Sequence, residues 1–275
     1  MQEIIERETS LLGLRIHTFS FEELMILLET ALVSNESLIV YGFSANIYSR
    51  IRKLPEFVHF FNKMDIVIPD GQGIPILARL FDVNIKARIG IVNLSNHFLK
   101  LANKKGYKVF LFGATEEINK NACNKIKTKY PGIKSCSGRN GYFADTDENS
   151  IVNEIKEYNP DILFIGISSP IKERFALKYK ADLNAKLIVP CGGWFDIVAG
   201  KVKRPPFILK KFPITWIYRI IQEPKRMFGP ILLSVLDSVF IIFPILYLKH
   251  VLGIEKNPSI IRHFKLEKKI GEFER

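Results

Sequence analysis

The stretch from Cys191 to Pro206, CGGWFDIVAGKVKRPP, contains the residue types best suited to chemistry. Two adjacent glycines follow a short apolar run that we predict to be a buried strand, and glycine lets the backbone turn sharply or approach a ligand closely. An acid and three cations come next. This combination suits an anionic, polyoxygenated ligand such as a nucleotide sugar, although an ordinary strand-to-helix loop followed by a solvated basic run has the same composition. The candidate binding residues here are Gly192, Gly193, Asp196, Lys203 and Arg204.

Asp70 is the candidate catalytic residue. It ends the apolar run 64–69, MDIVIP, and precedes Gly71, so we expect its carboxylate to project over the edge of a sheet. An acid in that position can act as a general base toward a sugar hydroxyl, or bind a ribose or a metal. Asp-Gly is also a common turn dipeptide, so the local sequence leaves both interpretations open.

The elements that must position these residues alternate between strand and helix over residues 1–200. Ser20 and Glu23 match a capping box at the start of the first helix. The alternation predicts an α/β fold with a Rossmann-like, largely parallel sheet and helices on both faces. The predicted strands cover 37–42, 64–69, 108–112, 133–137, 161–166 and 187–189, and the predicted helices cover 20–33, 47–61, 74–81, 93–105, 116–130 and 148–158, with another after Pro170.

Ligands of such sheets bind beyond the carboxyl ends of the strands. The residues that directly follow predicted strands are therefore candidates, and polar or small types recur among them. They are Ser44, Asn46, Asp70, Gly71, Gly113, Ser168, Ser169, Gly192, Gly193 and Asp196.

Several classes of protein lack support in the sequence. No GxGxxG follows the first strand, which weakens a dinucleotide-oxidoreductase interpretation, and no P-loop, HExxH or GxSxG is present. The three cysteines are widely spaced and form no CxxC, which indicates neither a disulfide framework nor a zinc site. Asp145-Thr-Asp147 is predicted to cap the helix that starts near 148. We therefore expect no metal and no cofactor, and the amino terminus lacks the pattern of a signal peptide.

The last quarter of the chain differs in charge from the rest. The net charge is +12, but residues 1–199 contribute only +3, whereas residues 200–275 carry 15 basic and 6 acidic residues, or +9. Such asymmetry indicates a polyanion or an anionic membrane surface. We expect an α/β catalytic domain over 1–200 and a basic, apolar appendage over 201–275, with Pro205-Pro206 near the boundary.

Within the appendage, residues 230–248 are apolar except for Asp237, and Pro244 interrupts them. The length is about that needed to span a bilayer, but a charge at mid-bilayer costs about 2.5–3.5 kcal/mol on insertion scales. We predict a polar stripe of Ser234, Asp237 and Ser238 on one helical face. Three interpretations stay open: an interfacial or re-entrant membrane helix, a true span, and a helix buried in an oligomer.

Seven segments in a fixed order resemble the WecG/TagA/CpsF glycosyltransferases, family twenty-six. The resemblance covers about residues 10–228, and the FD-x-x-AGKVKR-x-P and YR-x-x-x-EPKR strings are specific in combination. The segments are SANIYSRIR (44–52), DIVIPDGQGIP (65–75), KVFLFGAT (108–115), YPGIK with GYF (130–134, 141–143), DILFIGISSPIKE (161–173), CGGWFDIVAGKVKRPP (191–206) and WIYRIIQEPKR (216–226).

This resemblance implies an inverting, metal-independent hexosyltransferase of bacterial surface polysaccharide synthesis. It implies a UDP-sugar donor, carrying N-acetylmannosamine or another hexose or uronic acid, and a polyprenyl-diphosphate-linked sugar as acceptor. The expected location is the cytoplasmic face of the bacterial inner membrane, against an anionic membrane surface. We expect no nucleic-acid partner, and homo-oligomerisation stays open.

The resemblance also implies residue roles. Asp70 would be the general base on the acceptor hydroxyl, and Ser44 and Asn46 would line the site. The Gly192-Gly193 turn and Asp196 would hold the UDP-sugar. Two arginines of the appendage would close over the site and neutralise diphosphate, a role that suits the guanidinium fork; they are Arg219 and Arg226.

This chain departs from the family pattern at four places. Lys172-Glu173 stands where the family has Gln-Glu, 90–93 reads Gly-Ile-Val-Asn in place of Thr-Gly-Ser-Asp, 214–216 reads Ile-Thr-Trp in place of Leu-Glu-Trp, and 229–230 lacks a further arginine. These changes fall near expected donor or acceptor contacts, so they bear on donor identity more than on reaction class. We predict that Lys172 and Glu173 bind substrate. Lys172 could pair with a donor carboxylate or a phosphate.

Two other classes of function remain as alternatives. One is a nucleotide-binding oxidoreductase or epimerase on a Rossmann-like sheet, which the missing glycine fingerprint disfavours. The other is a non-enzymatic membrane scaffold that acts through residues 200–275.

Overall fold

The computed structural model of the chain describes residues 2–34, 36–44, 47–204, 206, 215–253 and 259. Its centre is a six-stranded parallel sheet with helices on both faces, which confirms the predicted fold class. The strands are β1 Glu8–Leu11, β2 Leu14–His17, β3 Leu38–Phe43, β4 Ile66–Pro69, β5 Lys108–Gly113, β6 Ser135–Arg139, β7 Ile162–Gly166 and β8 Leu187–Pro190. The helices are α1 Gln2–Glu6, α2 Phe21–Val33, α3 Ile47–Lys53, α4 Glu56–Lys63, α5 Ile74–Leu80, α6 Ile91–Lys105, α7 Glu116–Lys129, α8 Glu148–Tyr158, α9 Ile171–Lys178, α10 Trp194–Val198, α11 Thr215–Gln222 and α12 Pro224–His250.

The strand order in the sheet is β4-β3-β8-β7-β5-β6, and every adjacent pair is parallel. Because side chains alternate along a strand, the strands contribute side chains to two apolar clusters, one on each face of the sheet. In β3, Ile39 and Tyr41 pack into one apolar cluster, with α3, α4 and α9, whereas Leu38 and Val40 pack into the other, with α2, α6 and α7. Burial on both faces explains why the strands read as continuous apolar runs.

An antiparallel hairpin, β1–β2, precedes the sheet and was not predicted from the sequence. It lies against the outer strand β4, where the Val67 N–H donates to His17 Nδ1 at 3.0 Å and Arg15 donates to the Met64 carbonyl. The two strands have four residues each, too few for an alternation signal. Their partners on β4 are remote in sequence, so only the folded chain identifies them.

Two local predictions were wrong in detail, both at prolines. The single helix expected over 47–61 is divided into α3 and α4 at Leu54-Pro55, because proline lacks the N–H that a continuous helix would use. Pro244, by contrast, does not interrupt the apolar helix of the appendage, and α12 continues through it to His250. The capping box of α2 is confirmed, with Ser20 and Glu23 each accepting the other's backbone N–H.

The long helix α12 packs one side of its carboxyl-terminal half on the α/β core. Ile245 is fully buried in the cluster that contains α3, and Ile242 and Leu246 pack against that cluster. Lys249 Nζ forms an ion pair with Asp82 at 2.5 Å. Helix α12 is therefore attached to the α/β core through this end.

The rest of α12 exposes apolar side chains. At 100° per residue, the exposed ones fall within about 140° of the helix circumference. Within the described residues, no helix is long and apolar enough to cross a membrane. The predicted polar stripe of 234, 237 and 238 lies outside the described side chains. The exposed apolar residues of α12 are Phe228, Leu232, Leu233, Leu236, Val239, Phe240, Phe243 and Tyr247.

The buried His17 makes stability depend on pH. Burial, with the nearby Arg15 charge second, lowers the pKa of His17 from 6.5 to about 4. Between those values the unfolded chain binds more protons than the folded chain, so the contribution of His17 is complete above pH 6.5 and is lost as the pH falls toward 4. Since one pKa unit corresponds to about 1.4 kcal/mol, the free energy of unfolding should fall by about 3 kcal/mol more in wild type than in His17→Asn between neutral pH and pH 4. Urea titrations across this range measure the difference, and parallel curves would contradict the assignment.

Candidate active site

Two adjoining cavities open at the carboxyl edge of the sheet. The first, of about 280 Å³, lies at the ends of β3, β4 and β8 and is named the Asp70 cavity after its carboxylate. The second, of about 770 Å³, lies at the ends of β5, β7 and β8 and is named the Asp196 cavity. Four residues line both cavities, so the two form one continuous site: Arg50, Lys172, Gly192 and Gly193.

The carboxylate of Asp70 has a fixed orientation. The Asp70 N–H donates to the Phe43 carbonyl at 2.8 Å, which continues the β3–β4 pairing past the last strand residue. Asp70 Oδ1 accepts the Ile91 N–H at 2.8 Å, so the carboxylate satisfies a free donor in the first turn of α6. A Cβ on Gly42 would lie 3.1 Å from both Cβ and Oδ2 of Asp70, so a larger residue at 42 would displace the acid.

Opposing effects set the proton affinity of Asp70. Burial raises the pKa of this carboxyl above its ordinary value of 3.8, while the Ile91 N–H and the Arg88 and Lys172 charges act in the opposite direction and limit the rise. A carboxylate with a raised pKa is a stronger proton acceptor near neutral pH. Asp70 can therefore serve as a general base on a hydroxyl bound in the Asp70 cavity.

Glu173 organises the wall between the two cavities. Its Oε1 accepts the Tyr41 hydroxyl at 2.6 Å and the Ser169 hydroxyl at 2.8 Å, and Lys172 Nζ lies 3.5 Å away. Arg50 donates to Ser169 Oγ at 2.7 Å. Glu173 is 1% exposed and lines neither cavity, and its Oε2 has no hydrogen-bond partner within the described part of the chain. Glu173 thus pairs with Lys172 directly and is linked to Arg50 through the Ser169 hydroxyl.

The glycine turn after β8 is held by large buried side chains. Trp194 stacks on Phe164, with ring centroids 4.4 Å apart, and its Nε1 donates to Asn96 Oδ1 at 3.3 Å. Phe195 packs so close to Gly166 that a Cβ there would lie 2.5 Å from its ring. These contacts place the backbone of Gly192 and Gly193 at the junction of the two cavities, with Asp196 buried at the base of the larger one.

The other sequence candidates are placed as follows. Ser44 lines the Asp70 cavity, and Gly71 lies beside it, since a Cβ on Gly71 would be 3.5 Å from the Ser44 backbone. Ser168 and Ser169 line the Asp196 cavity. The structure does not bring Lys203 and Arg204 into either cavity; they line a separate groove between α6 and α7. Asn46 and the side chains of Arg219 and Arg226 lie outside the described residues.

Three residues that sequence reasoning did not single out belong to this site. Arg50 lines both cavities, Tyr41 supplies the shortest hydrogen bond of the wall, and Arg88 acts on the charge of Asp70. Arg50 falls in the SANIYSRIR segment, so a basic residue in the first helix after a strand was the available signal. Arg88 had no signal, because it lies between predicted elements.

The third cysteine also lines the Asp70 cavity. Burial raises the pKa of Cys191 to about 12, so its thiol stays protonated and is a poor nucleophile. Among the described residues, no three His, Cys, Asp or Glu side chains are grouped so that they could hold a metal ion. The charged side chains that line the two cavities are three acids and three cations: Asp70, Asp145 and Asp196, and Arg50, Lys172 and Lys201.

Comparison with known sequences identifies relatives of this chain. A profile described as the Glycosyl transferase WecG/TagA/CpsF family matches residues 9–248. A protein of Bacillus subtilis named N-acetylglucosaminyldiphosphoundecaprenol N-acetyl-beta-D-mannosaminyltransferase is 30% identical over 171 residues, which cover 62% of this chain and 66% of the relative. Proteins with the same name are 27% identical in Bacillus spizizenii, over 72% of this chain and 76% of the relative, and 30% identical in a Staphylococcus aureus strain, over 62% and 66%.

Removing the hydroxyl of Tyr41 tests the Glu173 cluster. Tyr41→Phe takes a buried hydrogen bond from a carboxylate, so the free energy of unfolding should fall by about 1.5–3 kcal/mol. Tyr158→Phe is the matched control, because its hydroxyl donates at 2.7 Å to the neutral Ser135 hydroxyl, and a loss of about 0.5–1.5 kcal/mol is expected. Urea denaturation measures both, and a smaller loss for Tyr41→Phe than for Tyr158→Phe would contradict the charged cluster.

Proposed function

Because this chain belongs to the WecG/TagA/CpsF family of glycosyl transferases, we propose that it moves a sugar from a UDP-sugar to a polyprenyl-diphosphate-linked sugar, with inversion at the anomeric carbon. The relatives' printed name supports a lipid-linked diphosphate sugar as acceptor. The single observation that carries the proposal is the oriented, partly desolvated Asp70 carboxylate at one end of a continuous two-cavity site.

The Asp70 cavity suits the acceptor sugar. Its acceptor hydroxyl would donate to Oδ2 of Asp70 while Oδ1 stays bonded to the Ile91 N–H. The hydroxyl oxygen attacks the anomeric carbon of the donor as Asp70 takes its proton, and the bond from that carbon to the diphosphate breaks on the opposite face. A base on one face and a leaving group on the other produce inversion.

The Asp196 cavity suits the nucleotide half of the donor. Its larger volume, about 770 Å³, accommodates a nucleoside diphosphate, and the junction holds two cations, Arg50 and Lys172, beside the Gly192-Gly193 backbone. Cations and backbone N–H groups at this point would stabilise the negative charge that develops on the departing UDP. We assign Asn46, Arg219 and Arg226 the supporting roles that the family resemblance implies.

The appendage suits a lipid-linked substrate. We propose that residues 1–200 form the catalytic domain and that residues 201–275 associate with an anionic membrane at the cytoplasmic face of the bacterial cell membrane. The exposed apolar side of α12 supports this placement, as does the net charge of +9 over residues 200–275. An interfacial helix with an apolar side and basic flanks binds such surfaces.

A panel of UDP-sugars with a short-chain polyprenyl-diphosphate N-acetylglucosamine acceptor tests this function. We expect UDP release that requires both the acceptor and one class of donor, and the product's anomeric configuration reports inversion.

Running the panel on Lys172→Gln tests whether Lys172 contacts the donor, since an unaltered donor preference and KM would exclude that role. Absence of acceptor-dependent UDP release, together with a rise in the unfolding temperature on adding NAD, would favour an oxidoreductase or epimerase. Membrane binding without sugar transfer would favour a scaffold.

Asp70→Asn tests the general base. The amide cannot accept the proton, so turnover should fall by about 10²–10⁴-fold while UDP affinity and the unfolding midpoint change little. In wild type, the acid limb of the turnover profile should lie above the ordinary carboxyl value of 3.8, because burial raises the pKa of Asp70. Asp65→Asn is the control, since Asp65 precedes the same strand at its opposite end and bonds to the Ile39 N–H. Near-normal turnover of Asp70→Asn would remove Asp70 from this role.

A further inference from the structure

A basic groove of about 1030 Å³ runs between α6 and α7 and is closed by the loop after α10. It shares no lining residue with the Asp70 cavity or the Asp196 cavity. No acidic residue is among its lining residues within the described chain. Its cations come from three separate segments, and they are Lys100, Lys125, Lys129, Lys203 and Arg204.

The cations of the basic groove are available to a ligand. Lys125 donates to the Ala199 carbonyl at 2.7 Å and so ties the loop to α7. Lys100 and Lys129 are exposed and have no acidic partner among the described residues, although Lys129 lies over the Tyr130 ring at 5.5 Å. Positive charges crowded together without acids repel one another, so an anion that enters the groove relieves this repulsion.

The floor of the basic groove is apolar. Leu99, Ile126 and Val202 are buried there, between the rows of cations. A purely ionic ligand gains nothing from such a floor, whereas an amphiphile gains from both parts. The combination suits a molecule with a phosphate joined to an apolar body.

The basic groove is continuous with the appendage. The Lys203 N–H donates to Gln222 Oε1 at 2.8 Å, and Gln222 Nε2 donates to the Lys203 carbonyl at 3.1 Å, so the rim of the groove is bonded to the end of α11. Ile217 and Ile221 of that helix are 40% and 72% exposed. An apolar helix surface thus lies beside cations that have no acidic partner in the part of the chain that the structure describes, the arrangement that a membrane surface with anionic headgroups would satisfy.

We infer that the basic groove binds the phosphate-bearing headgroups of anionic phospholipids and so forms a lipid site distinct from the two-cavity active site. This inference rests on the membrane association proposed above. It adds a second, electrostatic attachment next to α11, in addition to the apolar side of α12. The two attachments together would fix the orientation of the domain on the bilayer.

Vesicle flotation of the full chain tests the basic groove. The groove variant Lys100→Glu/Lys129→Glu should bind mixed phosphatidylglycerol–phosphatidylcholine vesicles roughly thirtyfold more weakly than wild type, since each surface cation contributes about one factor of five. The control variant Lys105→Glu/Lys127→Glu carries the same charge change on the same two helices, outside the groove. At physiological ionic strength, where distant charges are screened, it should lose less than about threefold.

The outcomes separate this inference from the proposed function. Equal losses in the two variants, or an unchanged affinity of the groove variant, would overturn the headgroup site. Loss of binding to a short RNA but not to vesicles would assign the groove to another polyanion and overturn it as well. Transfer to a water-soluble, short-chain acceptor should be unchanged in the groove variant. If wild type binds vesicles through the groove but transfers no sugar, the lipid site stands and the proposed function fails.

Discussion

The parallel pairing of β3 between β4 and β8 is the constraint on which the site depends. β3 is followed in sequence by β4, but β8 comes from about 150 residues further along the chain, with Leu38 opposite Leu187. This pairing brings the residue after β4, Asp70, to the same edge as the glycine turn at 192–193. Without it, the acid and the turn would belong to unrelated loops.

The site also depends on a balance of charge and burial. Burial raises the pKa of Asp70 and so makes its carboxylate a stronger proton acceptor than a fully hydrated one. The Ile91 N–H, Arg88 and Lys172 supply partial compensation. Glu173 balances the charge of the cation Lys172. It is buried and accepts hydrogen bonds from two hydroxyls. The acid in the cavity and the acid behind it thus have different roles that follow from their surroundings.

The sequence predicted the sheet well and its periphery poorly. Six strands, the capping box at Ser20 and most helix ends follow from local patterns, because apolar runs, caps and glycine stops act over a few residues. The hairpin of β1 and β2 was missed, since its packing on β4 depends on remote partners such as Val67. The prediction that Pro244 interrupts the apolar helix was wrong, because the packing of Ile245 on the core stabilises the helix around the proline.

The sequence by itself determined the strand-helix alternation, the charge asymmetry of the appendage and the candidacy of the residues that follow the strands, since each of these is a property of neighbouring residues. Only the tertiary structure decided which candidates meet. Asp70 lies in one cavity with Arg50 and Lys172. Glu173 is buried and lines neither cavity, and Lys203 and Arg204 line a different groove. The physical reason is that strand order and helix packing are set by long-range burial, which no local spacing records.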